Sequence, residues 1–261
     1  MGVAARARQA LAAALCAAAG LPACAEAPEG EPWVTAPGPG IAAARFEART
    51  DLYPHRIMGG IREAAVLAVR DGAGRESRVD LRAAPGGPRV FEDIAPRVVD
   101  ADGDGRNDVV VVEADLARGA QLAVYSLRRG RLAKAAATPE IGTRFRWLAP
   151  VAVADLDGDG ITDLAYLETP HLGKRLKVWT WAPGGLTLTA DLSGVTNHRI
   201  GEEVISGGLR DCGQGPEMIL ADAAWRRVVA VTLSGAKLSA RPLDLKPDAT
   251  GFAAALACQT G

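Results

Sequence analysis

Aromatic residues make up only 5% of this 261-residue chain. A core so poor in rings has to be filled mainly by Ala, Val, Leu and Ile. Lysine is scarce as well: Lys134, Lys174, Lys177, Lys237 and Lys246 are the only lysines among 30 basic residues, and the Arg and Ala bias points to a GC-rich bacterial genome. The formal charge is −1, with no strong basic cluster, so nothing electrostatic calls for nucleic acid or an anionic membrane surface. Beyond the N-terminus there is no apolar run long enough to cross a bilayer. The chain has no Gly-x-Ser-x-Gly elbow and no Gly-rich phosphate loop. His55, His171 and His198 are the only histidines, and no metal-ligand spacing joins them. Each therefore reads as a turn or hydrogen-bonding residue. No set of acid, base and nucleophile can be assembled, so the chain reads as a non-enzyme. Trp179 and Trp181 share one face of a strand and read as packing rather than as a sugar platform.

What is present points to a globular exported protein. Apolar residues are 48% and charged residues 23%, which excludes disorder throughout. Met1 to Ala25 has the form of a secretory signal, with Arg6 and Arg8 ahead of the apolar run Leu11–Leu21. Cleavage before Glu26 would leave a periplasmic or secreted chain of charge −3, two below the whole chain because two arginines go with the leader. The alternative is a lipoprotein box, Leu21-Pro22-Ala23-Cys24, with Cys24 as a lipid anchor. Residues 26–40 are rich in Pro and Gly and read as an exposed lead-in.

After the lead-in the chain repeats itself. Ala95-Pro96-Arg97-Val98-Val99-Asp100 and Ala149-Pro150-Val151-Ala152-Val153-Ala154-Asp155 both run into an acidic Gly loop, with a period of about 55 residues. In each copy a short strand enters the loop (Arg97–Val99; Trp147–Ala154) and a second leaves it (Val109–Glu113; Leu164–Glu168). A third (Gln121–Leu127; Arg175–Trp181) and a fourth (Arg131–Ala136; Gly185–Ala190) follow. Short β-rich runs between turn signals predict an all-β fold, and four antiparallel strands per repeat make a propeller blade. Val109 to Val112 is a run of four valines, poor for helix and suited to a strand buried on both faces. Val228–Leu233 and Lys237–Leu243 predict outer strands of a weaker copy around Gly207–Leu220. Ala64–Val69 and Ser77–Arg82 predict strands of a first one. Gly251 to Cys258 is similar to Arg146–Ala154, which predicts an inner strand, and Ile41–Thr50 predicts the outer strand of the same blade. Termini sharing one blade would close a small propeller of five blades, with four as the alternative.

The chemistry lies in two loops of the form Asp-x-Asp-Gly-Asp-Gly-x-x-Asp. Four carboxylates in nine residues repel one another unless a cation neutralises them, and calcium accepts six to eight oxygens in flexible geometry. The first loop offers the side chains of Asp100, Asp102, Asp104 and Asp108 and the carbonyl of Arg106. The second offers Asp155, Asp157, Asp159 and Asp163 and the carbonyl of Ile161. Two calcium sites are predicted. A plain Asp-Gly turn explains one Asp-Gly pair but not this alternation twice at the same point of a repeat. An EF-hand fails where Val111 and Tyr166 replace the twelfth-position Glu, and again because strands flank both loops.

These two loops resemble the FG-GAP or VCBS repeats of integrin α-subunit-like β-propellers. That resemblance implies a calcium loop between the first two strands of a blade. It covers residues 90–190 well and the flanks weakly. The Arg210–Glu217 loop keeps only Asp211 and Glu217 as acids, which predicts no metal there.

Cys16 and Cys24 lie in the leader, leaving Cys212 and Cys258. An even pair in an exported chain predicts a disulfide rather than two buried thiols, and alignment of the repeats places both at one end of adjacent inner strands. The resulting expectation is a calcium-stabilised binding or scaffold module of the bacterial envelope with a protein or glycan ligand. The alternatives are a subunit of an envelope complex, and an enzyme acting on polysaccharide or lipid.

Overall fold

The computed structural model describes residues 31–259. The expected signal sequence, its cleavage point and Cys24 lie outside them. The first sheet opens with β1 (Val34–Thr35), β2 (Ile41–Arg49), β3 (Ala64–Asp71) and β4 (Glu76–Asp80). β1 pairs with β2, β2 with β3 and β3 with β4, all antiparallel. A single 3-10 turn, Leu81–Ala83, follows, capped by the Asp80 side chain.

Three further units share one plan. In the first, β5 (Arg89–Phe91) and β6 (Arg97–Val99) both pair with β7 (Asp108–Asp115), which pairs with β8 (Gly119–Arg128), and β8 with β9 (Arg131–Ala137). In the second, β10 (Leu148–Ala154), β11 (Asp163–Glu168), β12 (Arg175–Ala182) and β13 (Gly185–Ser193) pair in order. In the third, β14 (Val195–Thr196) and β15 (Gly208–Asp211) pair with β16 (Pro216–Asp222). β17 (Val228–Ser234) and β18 (Lys237–Pro242) complete it. The first strand of a unit is continuous only in β10, which carries a register shift between Pro150 and Ala152. In the units before and after, the same strand is split by residues 92–96 and 197–207, and both halves still pair with one partner.

The units stack face to face in chain order, and the valine run shows how. Val109 and Val111 pack with Phe46, Leu67 and Val69 of the first sheet. Val110 and Val112 pack the other way, with Leu164, Tyr166 and Trp147. Alternate side chains of a strand point to opposite faces, so β7 has no solvent face, and its centre, Val109–Val112, is β-branched throughout. Each buried valine contributes roughly 1.5–3 kcal/mol. The third unit divides likewise: Leu220, Val229 and Val231 join the central core, while Ile219, Val228 and Ala230 face the C-terminal segment.

That segment corrects the expectation of a closing strand. Ala249–Leu256 is an α-helix, α1, not an inner strand. Asp248 caps it, its side chain accepting from the Gly251 amide at 2.9 Å. Phe252 and Ala255, three residues apart on one face, seat it on the third unit. The segment has four alanines and no β-branched residue after Thr250, whereas β10 has Val151 and Val153. Alanine favours the helix. Ile41–Thr50 is corrected as well, because β2 pairs with β3 along its length and not with the C-terminus. Among the described residues the last strand is β18, so the C-terminal segment supplies no strand to a fifth unit. Part of the lead-in is built into the fold. Trp33 lies 4.5 Å from the Arg45 guanidinium and 4.4 Å from that of Arg70, and Gly40 bridges to Asn107.

Candidate metal centres

Both acidic loops turn the chain from the first strand of a unit into the second. Val99 faces Asp108 across the β6–β7 pair, and Ala154 faces Asp163 across β10–β11. The loops use the same internal hydrogen bonds. Asp100 accepts from the amides of Gly103 at 2.9 Å and Gly105 at 2.8 Å; Asp155 accepts from Gly158 at 2.7 Å and Gly160 at 2.9 Å. The third Asp of each loop, Asp104 or Asp159, accepts from the amide two residues on, that of Arg106 or Ile161. The ninth-position Asp reaches back to the second residue of the loop, Asp108 to the Ala101 amide at 3.2 Å and Asp163 to that of Leu156 at 3.1 Å. Gly103, Gly105, Gly158 and Gly160 have φ between 73° and 85°, a region larger side chains avoid.

These turns aim carboxylates at one point. Asp100, Asp102 and Asp108 offer oxygens within 4.8 Å of one another, as do Asp155, Asp157 and Asp159. Asp104 stands outside the first group and Asp163 outside the second. Asp163 also accepts from the Thr180 hydroxyl at 2.6 Å. A cavity of about 320 Å³ opens beside the first loop, lined by Asp102, Asp104, Arg106, Asp108, Ser126 and Arg128 among others. The only ion pair to Asp102 among the described residues is with Arg128, at 3.8 Å. Burial, reinforced by the Asp102 and Asp104 charges, pushes the Asp108 carboxyl up to about 6. Burial also raises Asp102 and Asp163 above the ordinary carboxylate range. The donor set is entirely oxygen and mostly anionic, which suits a hard cation.

Residues 70–166 match the model of the FG-GAP-like repeat. The match runs from the end of β3 to Tyr166 of β11 and takes in both acidic loops. The match thus spans the first loop-bearing unit whole and stops within the second, before β12 and β13. A comparison with curated proteins finds no match.

The loop of the last unit differs. Asp211 accepts from the amides two and four residues on, Gly213 at 2.7 Å and Gly215 at 3.2 Å, a tighter turn than those of Asp100 and Asp155, which accept from the amides three and five on. The ninth-position role falls to Glu217, which pairs with Arg210 at 2.6 Å and Arg241 at 2.7 Å. Cys212, in the same loop, is disulfide-bonded to Cys258. The pairing agrees with the sequence reading, but its geometry does not. Cys258 follows a helix rather than ending an inner strand, so the bridge ties α1 to the last unit.

The histidines went unlinked in the sequence because they are far apart along it. The fold brings His55 and His171 to line one cavity, with His198 directly behind His171.

Proposed function

We propose that the chain is a calcium-stabilised β-propeller-like binding or scaffold module, its FG-GAP units acting as blades. The observation that carries this is the convergence of three carboxylates in each of two loops that are otherwise superposable in their hydrogen bonding. Asp100, Asp102 and Asp108 would hold one ion, and Asp155, Asp157 and Asp159 the other. Asp104, Asp163 and the carbonyls of Arg106 and Ile161 would complete six or more oxygens. The cation would neutralise loops that have little apolar core of their own and so fix the hairpins at one edge of the stack. The last unit needs no ion, since Arg210 and Arg241 supply positive charge to Glu217.

Export to an oxidising compartment is part of the same reading. The Cys212–Cys258 bridge supports it, because such bonds persist in the periplasm or outside the cell. A catalytic role is not proposed. Calorimetric titration with calcium tests the central point: two sites are expected, and none in a variant carrying Asp102→Ala and Asp157→Ala.

A further inference from the structure

The histidine cavity lies apart from the acidic loops. It measures about 180 Å³ and is lined by His55, Phe145, Arg146, Trp147, Thr169 and His171, with Leu172 and Ile200 at its rim. Those two rim residues are 65% and 71% exposed, the most exposed large apolar side chains among the described residues. The walls are held in place from behind. His55 Nδ1 meets the buried Glu92 carboxylate at 2.5 Å, and the Glu92 carbonyl accepts from Trp147 Nε1 at 2.8 Å. Phe145 stacks on His55 with ring centroids 5.1 Å apart, and Trp147 lies parallel to His171 at 6.2 Å.

The hydrogen bonds fix one tautomer. The Glu202 carbonyl can only accept, so His198 Nε2 donates to it at 2.8 Å. Neutral His198 then accepts at Nδ1, and His171 Nε2 donates to it at 2.9 Å. This leaves His171 Nδ1 as a bare acceptor. Burial lowers all three histidines, with His198 adding to the effect on His171, so they are neutral near pH 7. Burial raises the Glu92 carboxyl well above its ordinary value, and its Oε1 is taken up by His55 Nδ1. The nearby Glu63 is also buried, and its charge acts on both Arg49 and His55. Arg146 has no carboxylate within 4.0 Å among the described residues. Its guanidinium gives one hydrogen bond, to the Phe145 carbonyl at 3.2 Å, and the rest of its donors remain for a ligand. Two of the lining residues sit in strained backbone, Phe145 at φ 58° and Thr169 at φ 44°. A β-branched residue at positive φ is a true outlier, of a kind that gathers at binding sites.

We infer that this cavity binds a carboxylate whose α-carbon carries an apolar side group and a hydrogen-bond donor, as in an acylated aromatic amino acid. Arg146 would take the carboxylate, His171 Nδ1 the N–H, and the aromatic walls the side group. A free acylamino acid and the last residue of a peptide share this chemistry.

Saturation-transfer NMR on the mature protein tests it with N-acetyl-phenylalanine, N-acetyl-phenylalanine amide, 3-phenylpropionate and the peptide Gly-Gly-Phe. N-acetyl-phenylalanine should bind with a Kd on the order of 1 mM or tighter. Its amide, lacking the charge, should bind about tenfold more weakly, and 3-phenylpropionate, lacking the N–H, several-fold more weakly. Arg146→Gln should remove the preference for acid over amide without changing the melting temperature. Leu172→Asp, at an exposed rim position, should weaken the acid and spare the amide. Tighter binding of Gly-Gly-Phe assigns the carboxylate to a peptide terminus, and weaker binding to a free acid. No binding by any probe, equal binding of acid and amide, or an unchanged preference in Arg146→Gln overturns the inference.

Discussion

Arg210 faces Glu217 across the β15–β16 pair, at the register position where Val99 faces Asp108 and Ala154 faces Asp163. One register position thus carries two solutions to the same problem. Where a small apolar residue stands opposite the ninth-position acid, the loop is left with unneutralised carboxylates. Where arginine stands there, the charge is balanced from within. Arg210 is 6% exposed, and its Nη1 also donates to the Ala255 carbonyl at 2.6 Å, linking the loop to α1.

Arg210→Ala should therefore be costly. It leaves Glu217 with only the half-exposed Arg241 and takes one of two donors from the Ala255 carbonyl, which keeps the Cys258 amide at 3.0 Å. Removing one partner of a largely buried pair typically costs about 3–5 kcal/mol, and Arg241 should hold the loss near the lower end. Urea denaturation of the variant reads this directly. A loss below about 0.5 kcal/mol would mean that the pair behaves as a surface ion pair.

The disulfide closes a separation of 46 residues, for which the chain-entropy account gives about 4 kcal/mol. Replacing Cys212 and Cys258 by Ser should lower stability by up to that amount and loosen α1 first. Hydrogen exchange should show α1 amides losing protection before those of β11. Equal loss across both would show that the bridge does not act locally.

Gly207 has φ 84°, and a Cβ on it would stand 1.9 Å from the Ile219 carbonyl oxygen. Gly207→Ala should destabilise by roughly 2–4 kcal/mol through the clash and the strained dihedral. Gly103→Ala, with nothing within 4 Å of its Cβ, faces only the dihedral and should cost about 1 kcal/mol. Comparing the two melting temperatures separates close approach from backbone strain.

Stability should fall on mild acidification. Burial holds His171 down to about 4, and His198 adds to the shift. The unfolded chain takes up its proton near 6.5. The contribution of His171 is thus fully present above about pH 6.5 and is lost as pH falls toward 4, because only the unfolded state gains the proton in that window. His55 and His198 shift in the same direction. Melting curves from pH 7 to 4.5 should show the decline, and His171→Asn should flatten it. A slope unchanged in that variant would assign the decline to other groups.

The strands were legible wherever β-branched residues marked them. Val109–Val112 and the Val151/Val153 pair announce β7 and β10, and the acidic loops announce the turns between. Gly251–Cys258 misleads because its apolar pattern matches a strand, while its alanines, its lack of β-branched residues and the Asp248 cap favour helix. The Cys212–Cys258 pair was legible from export and an even count, whereas its place at the end of a helix was not. In the loops the convergence of the first two acids, Asp100 with Asp102 and Asp155 with Asp157, was legible from spacing, whereas the third member, Asp108 in one loop and Asp159 in the other, was not. The histidine cavity was not legible at all: His55, His171 and His198 come from three loops, and only stacking of the units brings them together.

Calcium-dependent melting tests the account most directly. With calcium at a hundred times the dissociation constant, each occupied site should add about 2.7 kcal/mol, so the melting temperature should rise with calcium and fall with chelator. The variant carrying Asp102→Ala and Asp157→Ala should lose most of that response while keeping its far-ultraviolet β signature. A wild-type melting temperature that does not change between chelator and saturating calcium would contradict the account.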